Sequence, residues 1–542
     1  MAITRGEALS EEALGPRIAV RGPRARRRPN TWHAAGYCAS SVAFAAASLC
    51  WTSLANADIL RIDPAATATL TATNNSGFAN SEDRGSDVIL ALTPRVSATG
   101  RGARYSFDGI VQGDWKQYVN NTLPNDFVPH ARLTTTTTAV ERWVYLDAGA
   151  QLDQIAANPF SAVSSGGLPS VRLQTTQYRL SPRIDHDFTP AVSLRYRNDN
   201  VWTRVRSDDS TVVTRTRTEQ RAHSLVFTQQ PLPFGYSIEA SQEETDFTGT
   251  SSSRFELTSA RGILTYALDP TLILGAVGGV ERSQVATSSS RDSIRGGRVF
   301  WRPTERTDLD LRAERRFFNN GWNLAFSHRS PFVAVNLTLA KQPASQPSTL
   351  QLSNPGGGEL RNLLDAVYRT RFPNPVERAQ IVDTAIARLG TSAGVAGPIA
   401  IYSDYAQLER SAALSVAFIS PLSVLTLRMF ALESLQLPRP DASGALLPPS
   451  TTDSNQLGGS VTFNRRLTST LSAEAVVSGT KIEGRGLSQG QSSSSKSALL
   501  SAYQGMTPKT RLVAGARRQV SNSNVVRAAQ ETAAFAGVEH KF

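Results

Sequence analysis

The chain of 542 residues contains two cysteines, Cys38 and Cys50. Both fall in the leader described below, so residues 58–542 carry no thiol, which excludes disulfide scaffolds and cysteine-based metal sites there. Long apolar runs are scarce beyond the leader, which excludes the near-continuous hydrophobic strands of a parallel α/β sheet. A hydrophobic content of 40% and a mean hydropathy of -0.24 exclude a helical membrane protein with many spans. They leave room for a barrel, in which only every second strand residue is apolar. No HExxH or P-loop is present. Five histidines beyond the leader (His130, His186, His223, His328 and His540) are scattered among separate segments and read as solvated lumen, turn or interface residues. Glu243-Glu244 reads as an exposed strand end. No catalytic residue, metal ligand or cofactor is expected.

The leader has a basic block, Arg24 to Arg28, an apolar run from Tyr37 to Leu54, and Ala55-Asn56-Ala57. These are the three parts of a secretory signal peptide, with cleavage expected after Ala57. A single membrane anchor is the alternative, because the apolar run is of borderline spanning length. The formal charge of +12 includes +4 from the seven Arg and three Glu of residues 1–57, leaving +8. Arginine alternates with apolar residues instead of clustering, so nucleic acid is not an expected partner.

From Asp58 the pattern has period two. Val144, Leu146, Ala148, Ala150 and Leu152 interleave with Tyr145, Asp147, Gly149, Gln151 and Asp153; Val192, Leu194 and Tyr196 interleave with Ser193, Arg195 and Arg197. Alternation alone fixes only β-structure with one wet face. The connections decide more. Short turns such as Asp187-Phe-Thr-Pro190, Asp269-Pro-Thr271, Ser330-Pro331, Ser420-Pro421 and Thr507-Pro-Lys509 alternate with longer polar loops, among them 74–86, 156–170, 436–455 and 479–496. Loops sorted by length onto two ends are the pattern of an outer-membrane barrel, short in the periplasm and long outside. The fold class expected is all-β, a transmembrane up-and-down antiparallel β-barrel over 58–542 with about eighteen to twenty-two strands. Trp115, Trp143, Trp202, Trp301 and Trp322 fall near strand ends, as interfacial aromatic girdles do.

Residues 342–405 break the pattern. Leu360, Leu363, Leu364 and Val367 have helical spacing. Asn374, Pro375 and Glu377 suit the start of a second helix, Val382, Ile386 and Leu389 its apolar stripe, and Gly390 its stop. A short helical insertion in one long loop is therefore expected, lid or plug at the barrel mouth or inside it.

Arg195, Arg197, Arg215, Arg217, Arg221, Arg298 and Arg312 occupy parities expected to face the lumen, with Glu219, Asp310 and Glu314 among them. A basic-biased lumen would favour anions such as acidic sugars. An Arg/acid ladder that only stiffens the wall is the alternative, and the neighbouring acids favour it.

Pro64, Asn74-Asn75, Asp87, Thr93-Pro94, Gly100 and Gly102, followed by Trp143-Val-Tyr-Leu-Asp147 and Asp187-Phe-Thr-Pro190, give residues 58–200 a recognisable opening. It resembles the outer-membrane protein family associated with PEP-CTERM and exopolysaccharide systems of Gram-negative bacteria. The last strand, Thr532 to Phe542, ends on an aromatic, which that resemblance makes a signal for the barrel assembly machinery, although His540 stands where an aromatic is more usual. The resemblance implies a non-catalytic barrel in the cell outer membrane, serving export or assembly of surface polysaccharide. Its implied partners are outer-membrane lipid, the assembly machinery, polysaccharide and export components. A general or anion-preferring porin is the alternative, with a barrel enzyme or a soluble secreted β-protein further behind.

Overall fold

The computed structural model describes residues 59–78, 85–156, 160, 172–207, 215–248, 253–285, 288–345, 364–365, 368–369, 378, 382, 398–399, 401, 403, 405–437, 453–525 and 528–542. The leader, with Ala55 and Ala57, lies outside the described residues. The strands in order are β1 (Ile59–Thr73), β2 (Asp87–Arg101), β3 (Tyr105–Tyr118), β4 (Asp126–Val140), β5 (Val144–Ala156), β6 (Arg172–Thr189) and β7 (Val192–Ser207). They continue with β8 (Arg215–Gln229), β9 (Phe234–Thr248), β10 (Ser253–Asp269), β11 (Leu272–Val285), β12 (Ser288–Thr304), β13 (Thr307–Arg316), β14 (Asn319–Arg329) and β15 (Val333–Ala344). The last seven are β16 (Gln407–Ile419), β17 (Ser423–Gln436), β18 (Ser454–Arg466), β19 (Leu471–Gly484), β20 (Ser492–Gly505), β21 (Thr510–Ser523) and β22 (Ala529–Lys541).

Each strand pairs antiparallel with its neighbour in sequence, and β22 returns to β1, so the 22-stranded sheet is closed. The seam pairs Ala65–Thr73 with Ala533–Lys541. Closure leaves no free backbone edge, which is what allows a sheet to sit in lipid. Across the seam the Thr73 hydroxyl donates to Glu531 at 2.8 Å, the Asn75 side chain to the Gln530 carbonyl at 2.9 Å, and the Phe542 N–H to the Pro64 carbonyl at 3.0 Å.

At one end every connection is two to four residues long, and both chain ends of the barrel lie there. Six of these turns share one device. Thr189, Asp269, Ser330, Ser420, Thr468 and Thr507 each accept, through a side-chain oxygen, the N–H three residues on, at 2.9–3.1 Å. In all but the Thr468 turn the next residue is proline, whose fixed φ suits the first corner of the turn. The other end carries the longer loops, including residues 345–406 between β15 and β16.

The expected helical insertion is not established. Residues 342–344 belong to β15, where Gln342, Pro343 and Ala344 pair with Glu409, Leu408 and Gln407 of β16. The cross-strand ladder therefore claims the first residues of the assigned range. Beyond them only Leu364, Asp365, Tyr368, Arg378 and Val382 are helical among the described residues, and most of the two proposed helices lies outside those.

Candidate functional site

Residues directly opposite each other in an antiparallel pair share a face, so register carries a face assignment around the whole barrel. One face presents large exposed apolar side chains near the short-turn end: Leu60 and Ile62 on β1, Phe234 and Ile238 on β9, Leu264 on β10, Leu274 on β11, Trp301 on β12. This is the outward, membrane-spanning band. Trp115, Trp202, Trp301 and Trp322 all fall on this face, opposite Leu92, Tyr178, Leu272 and Ala313. The other face carries Ser, Thr, Gly and paired charges, and lines the lumen.

On the inward face between β4 and β8 lies a recess of about 630 Å3, its charges being Asp147, Arg179, Arg183, Asp185, Arg195 and Arg197. Arg183 and Arg197 stand directly opposite each other on β6 and β7. Asp147 of β5 holds both, at 3.1 and 3.4 Å. Asp199 binds Arg197 at 2.9 Å and Arg179 at 2.6 Å, and Asp187 meets Arg195 at 3.4 Å. Every arginine of the recess therefore has a carboxylate, and the field of one is cancelled by the next.

A second inward cluster lies at a corner. Glu239 on β9 accepts from both terminal nitrogens of Arg312 on β13, at 2.9 and 2.7 Å. Four strand spacings separate β9 from β13, about 19 Å in a flat sheet, beyond the reach of these two side chains. The wall must curl there. Two glycines permit it: a Cβ on Gly279 would lie 2.4 Å from the Ala260 carbonyl oxygen, and one on Gly296 would lie 2.2 Å from that of Ala313. Ile263, Val277 and Ile294 fill the inside of the bend. Around them Arg261 approaches Glu239 and Glu314 at 3.6 and 3.8 Å, Arg298 binds Asp310 at 2.7 Å, and Arg316 binds Glu281 at 2.8 Å.

Described residues of the segment between β15 and β16 lie inside the lumen. It leaves the wall at the long-loop end, where the Ser345 hydroxyl meets Gln220 (2.8 Å) and Glu243 on the inward faces of β8 and β9. It returns at the same end, with Ile399 exchanging two hydrogen bonds with the Gln456 side chain at 2.8 and 3.1 Å. Between these points Leu364 and Val382, exposed by 0% and 1%, pack on Ala334, Ala417, Ile419 and Val424. Those four residues are inward-facing and lie beside the short turns that join β14 to β15 and β16 to β17. The segment thus reaches down inside the barrel to its opposite end. Asp365 binds Arg378 at 2.6 Å and Arg369 at 3.2 Å beside this contact. Burial raises the Asp365 carboxyl, but the hydrogen bonds and charges of Arg378 and Arg369 outweigh it and hold the group below the usual carboxylate range.

The structure places Arg195 and Arg197 together in the recess, and Arg298, Arg312, Asp310 and Glu314 together at the corner. It does not place Arg217 and Arg221 with them. These lie opposite Thr248 and Glu244, in the set that runs on to Phe227 and Ile238, and so face outward with Glu219. Arg215 lies opposite Arg206 in the same set, and its side chain is outside the described residues. The error has a physical source. The outward face of β8 is apolar only near the short turns, and above that level it is as polar as an inner wall. Arg179, Arg183, Asp199, Glu239, Arg261, Glu281 and Arg316 were not foreseen; they alternate like their neighbours, and only register shows whom they meet. Of the histidines, His130 faces inward between Asp114 and Asp153 at 3.6 and 3.1 Å. His223, His328 and His540 lie on outward positions, and His186 stacks on Trp143 near the short-turn end. Phe542 packs edge-on against His540 there.

No family model matches the chain, and no curated protein matches it. Among solved structures it is similar to the FrpB iron transporter from Neisseria meningitidis, F5-1 variant, with 11% identity over 90% of this chain and 83% of that one and a TM-score of 0.47. It is also similar to the ferric-catecholate import receptor Fiu from E. coli K12 (8% identity, 89% and 82% covered, TM-score 0.45). A third is the siderophore receptor PirA from Acinetobacter baumannii (9% identity, 89% and 80% covered, TM-score 0.43).

Proposed function

We propose that the protein is an outer-membrane passage for a polar solute, kept closed by the segment 345–406, with surface polysaccharide as the solute class that the opening of residues 58–200 implies. One observation carries the closed passage: Leu364 and Val382 are buried against the inner wall at the end opposite to where their segment enters. A barrel of this strand number encloses more space than its inward side chains can fill, so an occupant decides whether it conducts. The paired state of the inward arginines favours an uncharged or weakly acidic polar solute over a small anion drawn by a net positive field.

Planar-bilayer conductance of the purified protein tests this. The native protein is expected to conduct little. Leu364→Asp with Val382→Asp would place carboxylates in an apolar contact, at a cost of about 3 kcal/mol or more, and should open the barrel to a conductance that oligosaccharides block. Large, constant conductance in the native protein, unchanged by the double substitution, would instead establish a general porin.

A further inference from the structure

On the outward face of β11, β12 and β13, arginines stand directly opposite arginines. Arg282 pairs in register with Arg291, and Arg295 with Arg315. All four are exposed. None has an ion pair or hydrogen bond among the described residues, whereas the inward arginines of the same strands each have a carboxylate. Like charges directly opposite each other on a sheet repel and destabilise the pairing unless an anion is shared between them. The acids adjacent in sequence, Glu281, Asp292 and Glu314, have the opposite parity and face inward.

Their height is informative. Below Arg282 the outward residues of β11 run Val280, Gly278, Ala276 and Leu274; below Arg295 those of β12 run Gly297, Val299 and Trp301; below Arg315 those of β13 run Ala313, Leu311 and Leu309. On their own strands Arg282, Arg295 and Arg315 therefore sit directly above the apolar band, on the long-loop side, where lipid headgroups meet the wall; Arg291 stands higher on β12, above Ser293 and Arg295 and opposite Arg282. A guanidinium presents a planar fork that matches phosphate in bidentate fashion.

We propose that this patch binds the phosphate groups of a phosphorylated glycolipid in the outer leaflet, one phosphate being shared by each facing arginine pair. Its acyl chains lie along the apolar residues beneath. The proposal rests on the membrane placement of the barrel and is independent of what the lumen passes.

The test uses the full protein in zwitterionic detergent, probed by native mass spectrometry and thermal melting with a bis-phosphorylated glycolipid, its dephosphorylated form, and a soluble acidic oligosaccharide. The phosphorylated glycolipid is expected to stay bound and to raise the melting temperature, while the other two do neither. Arg282→Gln with Arg295→Gln should weaken its binding roughly ten- to thirty-fold, and Lys509→Gln, an exposed cation in a short turn, should leave it unchanged. The proposal is overturned if the dephosphorylated glycolipid binds as tightly, if the acidic oligosaccharide competes for the same arginines, or if the double variant binds like the native protein. The comparison of phosphorylated with dephosphorylated ligand needs no variant, so a folding defect cannot mask the answer.

Discussion

Strands β12 and β13 carry two arginine pairs, one on each face. Arg298 stands opposite Arg312 on the inside, and Arg295 opposite Arg315 on the outside. The residue types, the strands and the register are the same. What differs is the company: Asp310 binds Arg298 at 2.7 Å and Glu239 binds Arg312 at 2.7 Å, while the outer pair has no acid among the described residues. Arg183 and Arg197 repeat the inner arrangement, bridged by Asp147. Arginine on the inner wall is thus a structural tie, and so are Arg254 and Arg410 on the outer wall, held by Glu244 at 2.7 Å and Glu433 at 3.0 Å; the facing arginines of β11 to β13 are the ones that lack such a partner among the described residues. A net positive balance read from sequence does not say which.

The comparison can be broken first from the inside. Glu239→Gln leaves Arg261 and Arg312 with only Glu314, 3.8 Å from each, and it should cost about 3 kcal/mol of stability. Urea unfolding followed by tryptophan fluorescence would read this as a lower midpoint; an unchanged midpoint would mean the corner does not depend on its charges. A smaller change should make the outside resemble the inside. Ser293 is exposed and outward between Arg291 and Arg295, so Ser293→Glu supplies the missing carboxylate. It should stabilise the protein in zwitterionic detergent by about 0.5 kcal/mol and reduce the melting-temperature gain from phosphorylated glycolipid. If both quantities stay at native values, the outer arginines do not behave as an unsatisfied set.

The smallest expected effect concerns a third setting, the Asp365–Arg378 contact inside the lumen. Because the folded state holds the Asp365 carboxyl below its ordinary value, the contact contributes stability above the ordinary carboxylate range. That contribution is lost as pH falls through the lowered value. Conductance should therefore rise below about pH 4, and Asp365→Asn should show a modest rise already at neutral pH with no further acid dependence. An identical pH profile in that variant would dissociate closure from this ion pair.

Much of the architecture was legible because its determinants are local. The Ser, Thr or Asp before proline at five of the short turns marks a strand end within three residues, and the alternation between such turns supplies the strands. Twenty-two strands is the top of the range that these signals allow. The seam was also accessible, since β1 and β22 are the first and last alternating segments, and it pairs Ala65–Thr73 with Ala533–Lys541. What escaped depends on distance. Arg217 and Arg221 share the alternation of Arg195 and Arg197, and only pairing through β7 and β9 shows that they face the other way. The reach of Leu364 and Val382 to Ala334 and Val424 is set by the space inside the closed barrel, which no local pattern records. The curl at Gly279 and Gly296 is likewise invisible until β9 and β13 are seen to meet.

The topology also sets an order of events in assembly. Twenty-one of the strand pairings join neighbours in sequence, so each hairpin can form as soon as its own turn closes, at little cost in chain entropy. The β1–β22 seam is different, since Thr73 and Glu531 are 458 residues apart, and it gains nothing until both ends of the sheet have been brought round. Pairing of this kind is slow. The rate at which the protein reaches its final state should therefore be governed by the seam, and a substitution such as Gly537→Val, whose Cβ would meet the Ala68 carbonyl oxygen at 2.5 Å, should trap an open sheet with its hairpins already made.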